Sequence, residues 1–165
     1  MMERAPDGVR IRPMRDTDAP AALEILEKWN MAPTPDEPDA ERTGILVENS
    51  FVAEVRGHIR GVASFIMLGP EEAETASLAV HPESRGLGLG YRLQVTRLEA
   101  MWERGVRQVR TETDRPDTVK WYVAKFGYRN VGTNPKKHAF SLPDVQEWVV
   151  LELDLERWIR ERGGP

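Results

Sequence analysis

The chain has 165 residues, of which 40% are hydrophobic and 30% charged, as in a globular protein that buries a sizeable core in one domain. Its net charge of −4 excludes bulk attraction to nucleic acid or to a membrane surface, and the absence of cysteine excludes disulfides, thiolate metal sites and an acyl-cysteine intermediate. Three widely spaced histidines predict no metal site, and the lack of a signal peptide or of a run of about 20 apolar residues predicts a cytoplasmic protein.

Hydrophobic periodicity and turn signals divide the first part of the chain into a strand, a helix, a loop and a hairpin. The predicted bounds are a strand at 9–14, a helix from 16 to about 30, a loop at 31–41, and hairpin strands at 50–55 and 59–67 around a glycine turn. Three prolines in six residues, with acidic side chains around them, indicate the loop. It is either a solvated connector or an acidic lip over an acceptor site.

Strands and helices alternate in the second part of the chain. The predicted bounds are strands at 74–80, 106–113, 128–133 and 148–155, helices from the glycines to 104 and from about 117 to 126, and a tail from 157. The polar residues of the first helix fall on one stripe, formed by Arg92, Thr96, Glu99 and Glu103. The rest of that helix is mostly apolar, as expected for a helix packed deeply on a sheet. The expected buried face of the second helix consists of Val119, Tyr122, Val123 and Phe126.

The stretch 78–91 leads from a buried strand end, through a turn opened by Pro82, into a glycine-rich loop and a helix. Alternate glycines at 86, 88 and 90 beside Arg85 suit a loop that wraps an anion, because the unpaired N–H groups of a helix start carry partial positive charge. The Walker A pattern G-x-x-x-x-G-K-[ST] is absent. The dinucleotide pattern G-x-G-x-x-G also fails, because Tyr91 stands where its third glycine belongs and the residues 81–85 separate the strand from the glycines.

The pattern Arg85-x-x-Gly88-x-Gly90 after Leu-Ala-Val-His-Pro resembles the R/Q-x-x-G-x-G/A motif of the GNAT superfamily of N-acetyltransferases. The resemblance extends over most of the chain, as far as the Phe-Gly-Tyr sequence at 126–128. It implies an α/β (α+β) fold class, the single-domain acyl-CoA N-acyltransferase fold, with a mixed, twisted sheet of about six to seven strands flanked by about four helices. We therefore expect one N-acetyltransferase domain over 1–165, with its core at about 9–156.

In that family acetyl-CoA is the co-substrate, and its pantetheine arm fills a gap where the fourth and fifth strands splay apart. Carried over to this sequence, the expected contacts of the pantetheine arm are Leu78, Ala79 and Val80. The expected contacts of the pyrophosphate are Arg85, Gly86, Leu87, Gly88, Leu89, Gly90 and Tyr91. Asp117 is the nearest polar substitute for an asparagine that the family usually has near the start of the following helix, and we count it among the cofactor-binding residues.

The resemblance implies that an amine attacks the thioester directly, without an acyl-enzyme. An alkylammonium has a pKa of about 10.4 and must first lose a proton, so a base or a water chain is needed. Glu112 is the candidate base, and it would face the gap between the strands if the alternation that Val106 and Val109 belong to is disrupted or bulged. Glu74 is a weaker alternative, and a solvent-side carboxylate at a strand end is the competing interpretation of Glu112. A backbone N–H of the fourth strand is the family's usual donor to the oxyanion.

Tyr122 is the candidate acid that protonates the leaving thiolate. The family commonly has its tyrosine four residues before the glycine of the Gly-Phe ending, a position that Val123 occupies in this chain. Tyr122 lies one place earlier, roughly 100° round a helix, so a core tyrosine is the competing interpretation.

The acceptor is expected to be a small-molecule amine, such as an amino-acid-like metabolite. Acidic residues at 36–41 suit a cationic amine, and Lys136, Lys137 and His138 could hold an acceptor carboxylate. A protein or peptide acceptor, a CoA-binding sensor without strong catalysis and a nucleotide-dependent oxidoreductase stay open as alternatives. A homodimer also stays open.

Overall fold

The structure, a computed structural model, describes residues 8–31, 46–136 and 141–162. Its strands are β1 (Val9–Pro13), β2 (Ser50–Val55), β3 (His58–Met67), β4 (Glu72–Val80), β5 (Gln108–Thr113), β6 (Arg129–Pro135) and β7 (Glu147–Asp154). Its helices are α1 (Ala19–Lys28), α2 (Leu89–Glu103), α3 (Pro116–Phe126) and α4 (Leu155–Glu161). The predicted acidic loop beyond residue 31, Lys137 and His138 lie outside the described residues.

In the part of the chain that the structure describes, seven strands form one mixed sheet in the order β1-β2-β3-β4-β5-β7-β6, and four helices accompany it. The predicted fold class is therefore confirmed. Strands β4 and β5 pair in parallel, which requires a long crossover, and α2 supplies it. No helix among residues 8–31, 46–136 and 141–162 has the length and apolar character needed to cross a membrane.

The chain divides into two compact units. The first comprises the described residues of Met1–Ile66 together with Ala76–Glu99, and the second comprises Met67–Thr75 and the described residues of Ala100–Pro165. The single domain over 1–165 with a core at about 9–156 stays a prediction.

In the first unit, alternate residues of β2 and β3 pack against different helices. Val52 and Val62 belong to a cluster with Ile25 and Leu26 of α1, whereas the next residues along each strand, Ala53 and Ala63, pack with Leu93 of α2. This follows from the strand period of two, which sends successive side chains to opposite faces of a sheet. The predicted hairpin is confirmed, with positive φ angles at both turn residues.

A glycine in β3 lets α2 approach the sheet closely. A Cβ atom at Gly61 would lie 2.9 Å from Cδ1 of Leu93 and 3.2 Å from the Cβ atom of Ala53, both shorter than ordinary van der Waals contacts. A larger residue at this position would therefore require Leu93 of α2 or strand β2 to shift.

In the second unit, the parallel ladder between β4 and β5 covers three residue pairs, from Glu72–Gln108 to Glu74–Arg110. The hydroxyl groups of Thr75 and Thr111 hydrogen-bond just beyond the last pair. Strand β7 lies between β5 and β6 and pairs antiparallel with both, so the strand made last holds its two neighbours together.

Two expectations from the sequence are wrong. The tail predicted from 157 begins inside α4, where the carboxylate of Asp154 accepts the N–H of Arg157 at 3.1 Å and the side chains of Trp158 and Ile159 are buried. The segment is too short and too charged to show helical periodicity. Val123 was expected on the buried face of α3, but its side chain is 42% exposed. The buried face is instead centred on Tyr122 and Phe126, one helical turn apart.

We predict that Trp158→Ala lowers the free energy of unfolding by about 3 kcal/mol, because the indole is buried with its ring centroid 6.1 Å from that of Phe126. Urea denaturation of the variant measures this. Arg160→Ala on the exposed side of the same helix is the control and should change stability by less than about 0.5 kcal/mol. Equal stabilities of the two variants would mean that α4 is not docked.

Candidate functional site

A capped turn separates β4 from the glycine-rich loop. Residues Pro82–Ser84 form a single 3₁₀ turn, in which Nδ1 of His81 accepts the N–H of Glu83 at 3.1 Å and the carbonyl of His81 accepts the N–H of Ser84 at 2.9 Å. The five residues 81–85, which the dinucleotide pattern could not accommodate, thus form a defined local structure. The turn places Arg85 at the start of the loop.

The glycines in the loop adopt backbone conformations that side chains rarely take. The φ angles are +89° at Gly86 and +67° at Gly88, and a Cβ atom at either position would meet nothing within 4 Å. Helix α2 begins at Leu89, and the carbonyl of Gly88 accepts the N–H of Arg92 at 3.1 Å. The first N–H groups of a helix have no partner within it, so the loop offers backbone donors and an arginine to an anion. These residues fit a pyrophosphate.

The strand that leads to the loop is bound to α1 through a tryptophan that the sequence did not single out. The indole Nε1–H of Trp29 donates to the carbonyl of Val80 at 3.0 Å, and Cζ of Arg85 lies 5.4 Å from the centroid of the indole ring. Ala79 is buried in the same cluster against which Trp29 packs, whereas Leu78 and Val80 are half-buried. An aromatic residue at a helix end was the only signal for this role.

Helix α2 buries two polar side chains that lie outside its polar stripe, because Gln94 and Arg97 are fully buried among its mostly apolar residues. The guanidinium of Arg97 donates to the carbonyl oxygens of Ser64 at 3.0 Å and of Ser77 at 3.1 Å, and its Nε donates to the amide of Gln94 at 2.9 Å. A buried cation costs several kcal/mol unless hydrogen bonds compensate, and these bonds do so. No signal in the sequence indicated this role, because the acceptors on β3 and β4 are backbone carbonyls.

Arg97 also sets the direction of one N–H group on β4. The peptide that joins Ser77 to Leu78 is trans and planar, so its N–H points away from its carbonyl. Because that carbonyl is held by Arg97, the N–H of Leu78 points away from the guanidinium.

In the second unit, the two base candidates lie around one arginine. Oε1 of Glu112 accepts hydrogen bonds from Nη2 of Arg110 at 2.9 Å and from Nδ2 of Asn134 at 2.8 Å, and Oε1 of Glu74 lies 3.7 Å from Nε of Arg110. The hydrogen bond to Glu112 outweighs desolvation and raises the pKa of Arg110, so the cation persists. Strand β5 alternates regularly and keeps one register against β7, so Glu112 faces the same side as Arg110 without a bulge.

The candidate acid Tyr122 lies in an aromatic cluster on α3. It is 4% exposed, and its ring centroid lies 5.0 Å from that of Trp121 and 4.9 Å from that of Tyr128. Its burial favours the interpretation as a core tyrosine, while Val123, at the position of the family's tyrosine, faces solvent. Asp117 is exposed at the start of α3, where its carboxylate accepts the N–H of Thr118 at 3.0 Å.

A buried ion pair uses one of the lysines that were predicted to hold an acceptor carboxylate. Nζ of Lys136 donates to Oδ2 of Asp114 at 2.7 Å and to the carbonyl of Leu142 at 2.8 Å, and the N–H of Leu142 donates to the same carboxylate oxygen at 2.8 Å. Both charged side chains are almost completely buried. Lys136 thus joins the end of β5 to the segment before β7, and its charge is compensated within the chain.

Sequence comparison matches residues 17–128 to the acetyltransferase (GNAT) family. The match covers more than half of the chain and includes the glycine-rich loop. The chain belongs to this family. The predicted resemblance is therefore confirmed, and with it the assignment to acetyl-transferring enzymes as a class.

Solved structures of this family share the fold at low sequence identity. Ard1 from Thermoplasma volcanium superposes with a TM-score of 0.73 at 20% identity, over 88% of this chain and 96% of that one. The ribosomal-protein-S18-alanine N-acetyltransferase from Escherichia coli gives 0.71 at 20% identity, over 89% and 94%. A putative acetyltransferase from Salmonella typhimurium, solved with its cofactor acetyl-CoA, gives 0.68 at 18% identity, over 90% and 94%.

We predict that Asp114→Asn destabilises the protein by about 3 kcal/mol near neutral pH, because Lys136 keeps a buried charge without its counter-charge. Burial alone would raise the pKa of Asp114, but the hydrogen bonds from Lys136, Leu142 and Ser141 lower it below the usual 3.8. The stabilisation from a lowered pKa is present above about pH 4 and is lost as the pH falls through the folded-state pKa. Urea denaturation between pH 7 and pH 3 should show the wild type converging on the variant in acid.

Asp117→Asn serves as the control, because Asp117 is exposed. Its stability should follow that of the wild type at every pH, to within about 0.5 kcal/mol. A gap between wild type and Asp114→Asn that stayed constant down to pH 3 would contradict the role of the carboxylate charge.

Proposed function

We propose that the protein is an acetyl-CoA-dependent N-acetyltransferase that moves an acetyl group to a primary amine by direct attack in a ternary complex. The observation that carries the proposal is the glycine-rich loop, in which Arg85, two glycines with positive φ and open space at their Cβ positions, and a helix start follow one another. Membership of the GNAT family supports acetyl transfer. Acetyl-CoA, when bound, supplies the thioester that the amine attacks.

The donor is proposed to bind along β4 and the loop. Backbone N–H groups of Gly86 to Tyr91 and the guanidinium of Arg85 hold the pyrophosphate, because a helix start attracts negative charge. Leu78, Ala79 and Val80 contact the pantetheine arm. The N–H of Leu78, whose direction Arg97 sets, is suited to donate to the oxyanion of the tetrahedral intermediate. Asp117 stays a weaker candidate for a cofactor contact.

Glu112 is proposed as the base that takes the proton of the acceptor ammonium. Its two hydrogen bonds both go to Oε1 and hold the carboxylate in one orientation. A carboxylate held in one orientation suits a general base, which must meet one particular proton of the substrate. Glu74 remains the alternative. Tyr122 remains the proposed acid for the leaving thiolate, with water as the alternative donor because the tyrosine ring is buried.

A small amine or an amino-acid-like metabolite is the proposed acceptor. The carboxylates of Glu74 and Glu112 beside β5 suit a positively charged amine before it loses its proton. A protein N-terminus is the second candidate, because the Escherichia coli structure of the same fold is named for acetylation of a ribosomal protein. The oxidoreductase alternative rested on the anion-binding loop alone, and family membership removes its support. A cytoplasmic location and a homodimer stay predictions.

We predict turnover of acetyl-CoA with small amines or amino acids in a screen that also contains peptides with a free N-terminus.

Gly88→Ala should raise the KM for acetyl-CoA at least about tenfold, because a side chain at this φ forces the loop to move. Gly132→Ala is the matched control, since Gly132 also has a positive φ with open space around its Cβ position, but lies on β6. CoA binding without turnover of any amine would favour the sensor alternative, and no CoA binding would overturn the proposal.

For the base, we predict that Glu112→Gln lowers kcat/KM about a hundredfold at neutral pH and removes the acidic limb of the pH–rate profile. Glutamine keeps the size of the side chain and can still accept from Asn134, so the fold should be preserved. Glu156→Gln, an exposed carboxylate on α4, is the control and should leave the profile unchanged. If Glu112→Gln had the wild-type profile, a water chain or Glu74 would have to replace it.

A further inference from the structure

Trp29 occupies a point where three elements of the first unit meet. It caps the C-terminal end of α1, with its own N–H bonded to the carbonyl of Leu26 at 3.1 Å, and the chain turns away at Asn30, whose φ is +56°. Its ring packs on the buried cluster that contains Ala79 of β4. Because the backbone around it is fixed, the indole reaches the end of β4 from a rigid base.

The peptide unit between Val80 and His81 is held at both of its polar groups. Its carbonyl accepts the indole N–H of Trp29 at 3.0 Å, and its N–H donates to the carbonyl of Arg60 on β3 at 2.8 Å. Both distances are those of ordinary hydrogen bonds. This is the peptide at which β4 gives way to the turn, so its orientation decides where the following residues go.

The other end of the turn is held by the same tryptophan. Cζ of Arg85 lies 5.4 Å from the centroid of the indole ring, within the range of a cation–π contact. A guanidinium carries five N–H donors, and a cation–π contact uses none of them as a hydrogen bond, so Arg85 can still donate to an anion. One side chain thus fixes both the last peptide of β4 and the first residue of the anion-binding loop.

We propose that Trp29 is a positioning residue for the donor, which sets the pantetheine-binding end of β4 and the pyrophosphate-binding loop at a fixed separation. The inference rests on the proposed function. Preorganisation of two parts of one ligand site lowers the cost of binding that ligand, so Trp29 acts on acetyl-CoA affinity rather than on the chemical step. The amine, which does not contact this segment in the proposal, is unaffected.

The test measures the Kd for CoA by calorimetry, and kcat and both KM values, for Trp29→Phe and Trp29→Leu. Trp29→Phe keeps an aromatic ring and loses only the N–H donor, so the Kd for CoA and the KM for acetyl-CoA should rise about three- to tenfold at unchanged kcat. Trp29→Leu also loses the contact with Arg85 and should raise both further, to about ten- to thirtyfold. The KM for the amine should change less than twofold in both variants.

Trp102→Phe is the matched control, because Trp102 is also half-buried and has an arginine, Arg107, with Cζ 4.0 Å from its ring centroid, but belongs to the second unit. A general loss of stability would affect this control as well, whereas the positioning role predicts wild-type CoA binding for it. A Kd for CoA in Trp29→Phe equal to that of the wild type would overturn the inference and leave the proposed function intact. A lower kcat together with raised KM values for both acetyl-CoA and the amine would do the same. Absence of CoA binding by the wild type would overturn both.

Discussion

The structure of the first unit depends on how the fully buried guanidinium of Arg97 is solvated. A cation in the protein interior must replace its water with fixed dipoles, and Arg97 does this with carbonyl groups of β3 and β4 and the amide of Gln94. The arrangement tolerates little movement, because each carbonyl that shifted would leave the charge less compensated. The two neighbouring strands and the face of α2 are therefore fixed relative to one another, as is the direction of the Leu78 N–H.

This rigidity distinguishes the two halves of the proposed reaction. The donor half combines a fixed strand, a capped turn and a loop with positive φ at Gly86 and Gly88, so the backbone itself accounts for the anionic ligand that we propose there. The acceptor half depends on side chains in an ion network around Arg110, whose charges bind to one another. A network of this kind orients a carboxylate but does not select one amine over another. The proposed donor is therefore better defined than the proposed acceptor.

Local signals in the sequence were sufficient for most of the fold. The hairpin turn at Gly57, the end of α3 at Gly127 and the loop at Gly86–Gly90 all depend on backbone conformations that nearby residues dictate, and the structure contains each of them. The hydrogen bonds of Arg97 to Ser64 and Ser77, of Trp29 to Val80 and of Lys136 to Asp114 could not be predicted, because each joins residues 20 or more positions apart. Hydrophobic periodicity treats arginine and lysine as surface residues, and only the tertiary structure shows that the side chains of Arg97 and Lys136 are buried.

The position of β7 between β5 and β6 has a consequence for the order in which the protein acquires its structure during translation. Every described residue of the first unit lies within residues 8–99, so this unit leaves the ribosome early. Strand β6 leaves the ribosome before β7, its partner in the sheet, has been made. One edge of β5 is also unpaired until β7 has been made. Until β7 is synthesised, the nascent chain carries strand edges without that neighbour, and these are the sites at which newly made chains pair wrongly with one another.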